Sequence, residues 1–162
     1  MISPTTLAQA FNRNVEIIKM QTAGLNHAES LIQLPFRGNC MNWIAGHILT
    51  NRYNVLKLLG ADQPVEAERS ARYQRDSEPI KTIGSDVLQL EELIALLDSA
   101  QAHISSLLTE ITPAGLERQV AFYGRRSMSV AEWLMFFYFH DTYHTGQTEI
   151  LRQATGMDDK II

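Results

Sequence analysis

The apolar residues between positions 87 and 111 recur at alternating spacings of three and four, which places them on one side of an α-helix. With one glutamine among them, the series consists of Val87, Leu90, Ile94, Leu97, Gln101, Ile104, Leu108 and Ile111. Four more apolar residues widen the same face: Leu93, Leu96, Ala100 and Leu107. A face this wide is too broad for a helix on a protein surface, so the pattern predicts a helix that packs against several neighbours.

Three other segments carry helix signals. A first helix is predicted over residues 4–24, because a serine–proline pair precedes a regular apolar stripe. A second is predicted over residues 41–59, with Gly60 placed to end it. The last helix should begin after Ser129, which opens a capping box with the glutamate three positions later, and should stop at Gly156.

The connections between these helices are unequal. Residues 61–84 contain two prolines and many charges, and they predict a solvated loop with room for one short helical turn. A helix of about 19 residues is about 29 Å long, a distance that such a loop can span easily. Antiparallel neighbours would need only a short turn, so the second and third helices should run parallel and be joined by a crossover. Residues 114–128 should be irregular, with an extended run and a turn at Gly124.

Together these signals predict an all-α fold class: residues 1–162 should form a single domain, a four-helix bundle without convincing strands.

Composition and charge exclude several classes of protein. A formal net charge of −4 argues against nucleic acid as a partner. No apolar run approaches the roughly 20 residues that span a membrane, and the N-terminus does not resemble a signal peptide. One cysteine, Cys40, rules out an internal disulfide, which favours the cytoplasm.

Three histidines are candidates for metal binding. His140 and His144 are four residues apart on the apolar stripe of the last helix, so one metal ion can bind both. In the zinc proteases that share this spacing a glutamate follows the first histidine, and here Asp141 takes that place. His47 lies in the apolar stripe of the second helix. The spacing alone leaves open whether these histidines bind a metal or are buried core residues with other partners.

Two motifs carry a resemblance to a known family. Residues 38–48 read GNCMNWIAGHI, and about 90 residues later residues 140–147 read HDTYHTGQ. Together they resemble the two signatures of the DinB-like superfamily. The resemblance implies an up-down-down-up four-helix bundle with a long crossover between helices 2 and 3. It also implies that His47, His140 and His144 bind a divalent metal ion, namely nickel, zinc or iron.

The resemblance also implies a class of reaction. Three protein ligands leave coordination positions open, which permits catalysis. Characterised relatives include transferases and isomerases that use thiols such as bacillithiol, mycothiol or glutathione, so the chain is expected to activate a small-molecule thiol for transfer to an electrophilic substrate. The alternative is a non-catalytic, metal-binding stress-response module that acts through a partner or as a dimer. A third hypothesis is a structural dimer in which the histidines are only core residues and bind no metal. Whether the chain is an enzyme stays open.

Other residues are weaker site candidates. Gln147 lies one turn beyond His144 and either bonds a ligand or fills the core. Tyr143 is a candidate proton donor or a packing residue, and Asn42 either lines the pocket or belongs to the helix start and core. Arg152 is expected to face solvent. A homodimer is also predicted, because the apolar face of the third helix is wide for the interior of one bundle and relatives are often dimers.

Overall fold

The structure, a computed structural model, describes residues 3–62, 65–122, 124 and 127–161, without the side chains of residues 65–68. Its helices are α1 (Pro4–Thr22), α2 (Met41–Leu58), α3 (Leu90–Glu110), α4 (Pro113–Glu117) and α5 (Val130–Ala154). Two 3-10 segments, Glu29–Leu31 and Val65–Tyr73, lie in the connections. Strands β1 (Gln119–Val120) and β2 (Met128–Ser129) pair antiparallel. The prediction of a helical chain is confirmed, with one small two-stranded sheet that the sequence did not predict.

The helix ends follow the local signals in the sequence. Ser3 Oγ accepts a hydrogen bond from the amide of Thr6 at 3.1 Å and so caps α1. At the start of α5, Ser129 Oγ accepts from the Glu132 amide, and the Glu132 carboxylate accepts from the Ser129 amide. Gly60 has a φ of +91°, a left-handed conformation that ends α2 at low steric cost. The third helix starts later than predicted, at Leu90, because Gln89 is extended.

The four long helices share one core. Both α1 and α2 pack against α3 and against α5. The interior residues are fully buried large side chains, among them Phe11, Ile18, Ile48, Leu97, Ile104, Trp133 and Phe137. Burying each such side chain contributes about 1.5–3 kcal/mol before its entropy cost is counted. Within the part of the chain that the structure describes, no helix is long and apolar enough to cross a membrane.

The described residues of the connection between α2 and α3 (residues 59–62 and 65–89) include a longer helical segment and more buried side chains than the composition predicted. Its 3-10 segment covers nine residues, and Tyr73 and Ile80 are buried in the core at 0% and 1% exposure. Arg72 pairs with Asp86 at 3.1 Å, while Arg75 stays solvated as expected. The interpretation of the whole stretch as a solvated loop is therefore wrong at Tyr73 and Ile80, and the 3-10 segment that ends at Tyr73 packs onto α2.

Arg152 corrects a second prediction, because its side chain is buried rather than solvent-facing. Its guanidinium donates hydrogen bonds to the carbonyl oxygens of Gln21 and Ala23 at 2.9 and 2.8 Å, and it pairs with Asp159 at 3.0 Å. The end of α1 leaves carbonyl groups without helical partners. A long cationic side chain from α5 satisfies them, which a reading of α5 alone could not reveal.

Candidate metal centre

The structure brings the three histidines together between α2 and α5. His47, His140 and His144 each offer one ligand atom, and these atoms all lie within 4.8 Å of one another. His47 Nε2 is 3.2 Å from His140 Nε2, and the ring centroid of His144 lies 4.9 Å from that of His47 and 4.5 Å from that of His140. This arrangement can hold a metal ion.

Two contacts fix the orientation of His47. Its Nδ1 lies 2.7 Å from the carbonyl oxygen of Tyr73, a contact that requires Nδ1 to carry the proton and donate it. The indole of Trp43, one turn earlier on α2, stacks on the imidazole at a centroid distance of 4.6 Å. The lone pair of His47 is therefore at Nε2, which points at the other two histidines.

The other two histidines have different partners. His144 Nδ1 lies 2.7 Å from the side-chain oxygen of Gln147, so it donates there and leaves its lone pair at Nε2. His140 Nδ1 is buried and has no hydrogen-bond partner among the described residues. Without a metal, His140 Nε2 must donate to His47 Nε2, because that nitrogen carries no proton. A nitrogen donor set of this kind suits zinc, nickel or iron, so the residues present fit a divalent ion.

The electrostatics of the cluster favour neutral imidazoles. The pKa of His47 is lowered to about 4, chiefly by burial and to a lesser extent by the neighbouring His144, against the opposing hydrogen bond to Tyr73. Burial, with repulsion from His144 and His47, lowers the pKa of His140 to about 3. Burial also lowers the pKa of His144, against the hydrogen bond to Gln147. All three rings are therefore neutral at pH 7, and a neutral imidazole has a lone pair that can bind a metal ion.

A pocket of about 390 Å³ opens beside His47 and His140. Its other walls are Thr50, Asn51, Asn54, Gln74, Arg75 and Phe136. No fourth histidine, cysteine or carboxylate among the described residues joins the three histidines as a candidate ligand. A metal ion at this cluster would keep coordination positions free for water or substrate, and the adjoining pocket gives a small molecule room to reach them.

A second polar cluster lies next to the histidines, and sequence reasoning missed it. Arg52 on α2 pairs with Asp141 on α5 at 2.9 Å, with both side chains at most 1% exposed. Arg52 also donates to the side-chain oxygen of Gln101 on α3 and to the carbonyl oxygen of Phe11 on α1. Burial raises the pKa of Asp141 to about 6, although Arg52 opposes the shift. A charged residue four positions after Ile48, within an apolar stripe, was the signal that could have revealed this pair.

The weaker candidates have distinct surroundings. Gln147 contacts the ring of His144, as described above. Tyr143 is 60% exposed, and its ring meets that of His144 edge-on at a centroid distance of 5.2 Å. Asn42 is fully buried, and both ends of its amide bond to residues of the connection between α2 and α3. Tyr73, which orients His47, was not predicted, because its backbone oxygen is the group involved and no sequence pattern reports that.

Comparisons with known proteins agree with this fold and identify a family. The family pattern described as the DinB superfamily matches residues 21–148. A conserved protein from Enterococcus faecalis of known crystal structure is similar with a TM-score of 0.73 at 15% identity, over 96% of this chain and 98% of that one. A DinB-like protein from Bacillus subtilis, YjoA, is similar with a TM-score of 0.59 at 15% identity, over 96% of both chains. No curated protein gives a significant match.

Proposed function

Because the chain belongs to the DinB superfamily, we propose that it is a metal-dependent enzyme that activates a low-molecular-weight thiol for transfer to an electrophilic substrate. His47, His140 and His144 would hold the ion, which is nickel, zinc or iron. The observation that carries the proposal is the convergence of three ligand atoms within 4.8 Å beside a pocket of about 390 Å³. A purely structural metal site would be closed by a fourth protein ligand.

The bound ion would supply positive charge that lowers the pKa of a bound thiol, so that the thiol is present as a thiolate near neutral pH. The residues of the chain prepare that site. The Tyr73 carbonyl and the Gln147 side chain accept the Nδ1 protons of His47 and His144 and keep both Nε2 lone pairs directed inward. In the transfer, the sulfur forms a bond to the electrophilic atom, the leaving group departs with its bonding electron pair, and the thiol proton passes to solvent.

The pocket walls suit a polar molecule with one apolar part. Thr50, Asn51, Asn54 and Gln74 offer hydroxyl and amide groups, and Phe136 offers an aromatic face on the side of His140. Among the described residues that line this pocket, Arg75 is the one with a charged side chain, because the histidines there are neutral. Small thiols with amide and carboxylate groups fit such a lining.

The experiment is a thiol titration of protein loaded with cobalt(II), followed by a panel of electrophiles. Sulfur bound to cobalt gives a charge-transfer absorption band, so binding is seen before any turnover. We expect a band with at least one thiol, turnover with at least one electrophile, and loss of both in His144→Ala. His103→Ala is the matched control, since His103 is an exposed histidine on α3. Turnover that His144→Ala leaves unchanged would refute the mechanism.

A second candidate function, a metal-binding module without catalysis that works as a dimer or through a partner, has its own supporting observation. Exposed apolar side chains follow one stripe on α5, at Met135, Phe139, Tyr143 and Ile150. The dimer prediction rested on the wide apolar face of α3, but that face offers no exposed apolar side chain to a partner among the described residues. Leu93 is fully buried and Leu96 is partly buried against the core of the same chain. Phe139→Glu would convert a homodimer to a monomer in analytical ultracentrifugation if the α5 stripe is the interface.

We also propose that residues 1–162 form one domain with the up-down-down-up order of helices. Contacts in which the residue numbers of both helices increase together indicate parallel helices. Between α1 and α5 these are Asn14 with Thr142 and Gln21 with Arg152. Between α2 and the segment leading into α3 they are Asn42 with Leu88 and Arg52 with Gln101. Pairs of opposite order between α1 and α3 also support it: Ala8 with Gln101 and Lys19 with Asp98. In this arrangement the crossover carries the chain back along the bundle between two parallel helices.

A further inference from the structure

The hydroxyl group of Tyr73 closes a ring of three buried hydrogen bonds. It donates to Asn42 Oδ1 at 3.1 Å and accepts from the Leu88 amide at 2.8 Å. Asn42 Nδ2 donates to the Leu88 carbonyl oxygen at 2.9 Å. All three residues are at most 2% exposed, so each would leave a buried polar group without a partner if the ring opened. These bonds tie the middle and the end of the connection between α2 and α3 to the first turn of α2.

The aromatic ring of Tyr73 packs at a position of α2 where only glycine leaves room. A Cβ atom at Gly46 would lie 2.2 Å from Cδ1 of Tyr73, far inside a normal contact distance. Glycine is a poor helix former, so its presence in the interior of α2 has a structural reason here. The missing side chain lets the backbone of Tyr73 approach the helix next to His47.

The same connection contacts the metal site at two points. The backbone oxygen of Tyr73 accepts the Nδ1 proton of His47 at 2.7 Å. Trp43, which stacks on the imidazole of His47, donates its indole proton to Ser77 Oγ at 2.9 Å. His47 is therefore held by one group from the connection and by one aromatic ring that the connection itself holds.

We infer that Tyr73 is a positioning residue for the metal site. Through this residue, the docking of the connection onto α2 stabilises metal binding, and metal binding stabilises the docked connection. The inference rests on the proposed function, since His47 must be a ligand. A cation on Nε2 of an imidazole makes its Nδ1–H a stronger donor, so the bond to the Tyr73 carbonyl strengthens when metal binds. Coupling is reciprocal: a connection that is locked in place raises metal affinity, and metal raises the protection of the connection.

The test uses Tyr73→Phe, which keeps the ring against Gly46 and removes only the hydroxyl. Nickel affinity is measured by competition with a chelator, and amide hydrogen exchange follows Leu88 with and without nickel. We expect nickel binding roughly tenfold weaker, in line with the loss of other outer-shell partners. The Leu88 amide should exchange faster in the metal-free variant, and nickel should slow its exchange in the unmodified protein.

The control variant is Ile104→Val, which weakens the core at a buried position of α3 that lies outside the connection in sequence. If that variant weakens nickel binding as much as Tyr73→Phe does, the effect is one of global stability and the inference is overturned. Equal nickel affinity of the unmodified protein and of Tyr73→Phe would also overturn the inference. So would a rate of amide exchange at Leu88 that does not change when nickel is added. Failure of the unmodified protein to bind any metal would instead sink the proposed function, and this inference with it.

Discussion

Two polar clusters bridge α2 and α5, and they are built for different purposes. His47, His140 and His144 are neutral rings at the edge of the core, with a pocket beside them. Among the residues that the structure describes, none is a hydrogen-bond partner for the buried Nδ1 of His140. Arg52 and Asp141 form an ion pair at the centre of the core, where each side chain is at most 1% exposed, and neither lines that pocket. The first cluster has lone pairs to offer a ligand, whereas the second holds the helices together.

The difference arises from one residue step along α5. Successive residues of a helix point about 100° apart, so His140 faces the edge between α2 and α5 while Asp141 faces the interior. There the ion pair touches every long helix: Arg52 reaches Phe11 on α1 and Gln101 on α3 as well as Asp141. A bundle can thus place a reactive group and a stabilising one next to each other in sequence.

The largest effect should come from breaking the ion pair. Arg52→Met leaves a buried carboxylate without its partner, and we expect the free energy of unfolding to fall by about 3–5 kcal/mol in urea denaturation of the metal-free protein. The double variant Arg52→Met/Asp141→Leu should recover most of that loss, because no buried charge remains. A single variant within about 1 kcal/mol of the unmodified protein would contradict the role given to the second cluster.

The next effect is a pH dependence of the histidine cluster. The pKa of His140 is lowered to about 3 in the folded chain, while an unfolded histidine titrates near its ordinary value of 6.5. The unfolded state therefore binds more protons once the pH falls below about 6.5, and stability that is present at pH 7 is lost on acidification. Between pH 7 and pH 5 the metal-free protein should lose about 1–2 kcal/mol more than His140→Leu does.

The acidic residues titrate in both proteins, so the difference between them reports His140 together with its coupling to His47 and His144. Urea unfolding at several pH values measures it. Parallel stability curves for the two proteins would mean that His140 has an ordinary pKa and is not held neutral by burial.

Much of the fold could be predicted from local patterns. The capping box at Ser129 and the glycine at position 60 fixed helix ends to within a residue or two, because each signal acts through neighbours in the chain. The two strands of two residues were missed, since so short a pair depends on how α4 meets α5. The buried Tyr73 was missed for a similar reason: its place depends on Gly46, which is 27 positions earlier in the chain.

The candidate site, like the fold, has parts that the sequence predicts and parts that depend on contacts between distant segments. Motifs indicated the three histidines as a set, and the structure brings them together, but whether they bind metal stays a prediction. The groups that orient their rings are a backbone oxygen and an amide side chain, and the first has no signature in a sequence. Arg52 and Asp141 were visible as charges in apolar stripes, yet their pairing required the packing of two helices that are distant in sequence.

A smaller effect is expected from the partner of His144. Gln147→Leu removes the oxygen that accepts the Nδ1 proton, so the ring can rotate or change tautomer. Metal affinity should fall by about tenfold, with little change in stability, in a competition titration with a chelator. Gln153→Leu is the matched control, because Gln153 is an exposed glutamine on the same helix. Equal affinities for the two variants would exclude an orienting role for Gln147.

The smallest effect should follow the loss of the Tyr143 hydroxyl. The side chain is 60% exposed and meets His144 through its ring, which Tyr143→Phe retains. Metal affinity and turnover should stay within about twofold of the unmodified protein, the usual range for a surface change. A loss of turnover above tenfold at unchanged metal affinity would identify Tyr143 as a proton donor and place catalysis on the outer side of α5.

We expect the histidine cluster to bind a metal ion and the neighbouring ion pair to bind none. Metal analysis of the protein purified without a histidine tag tests it most directly, after incubation with nickel, zinc or iron salts and removal of the excess. We expect about one equivalent of metal in the unmodified protein and a loss of nearly all of it in folded His144→Ala. Less than about 0.1 equivalent in the unmodified protein, with all three metals, would contradict it.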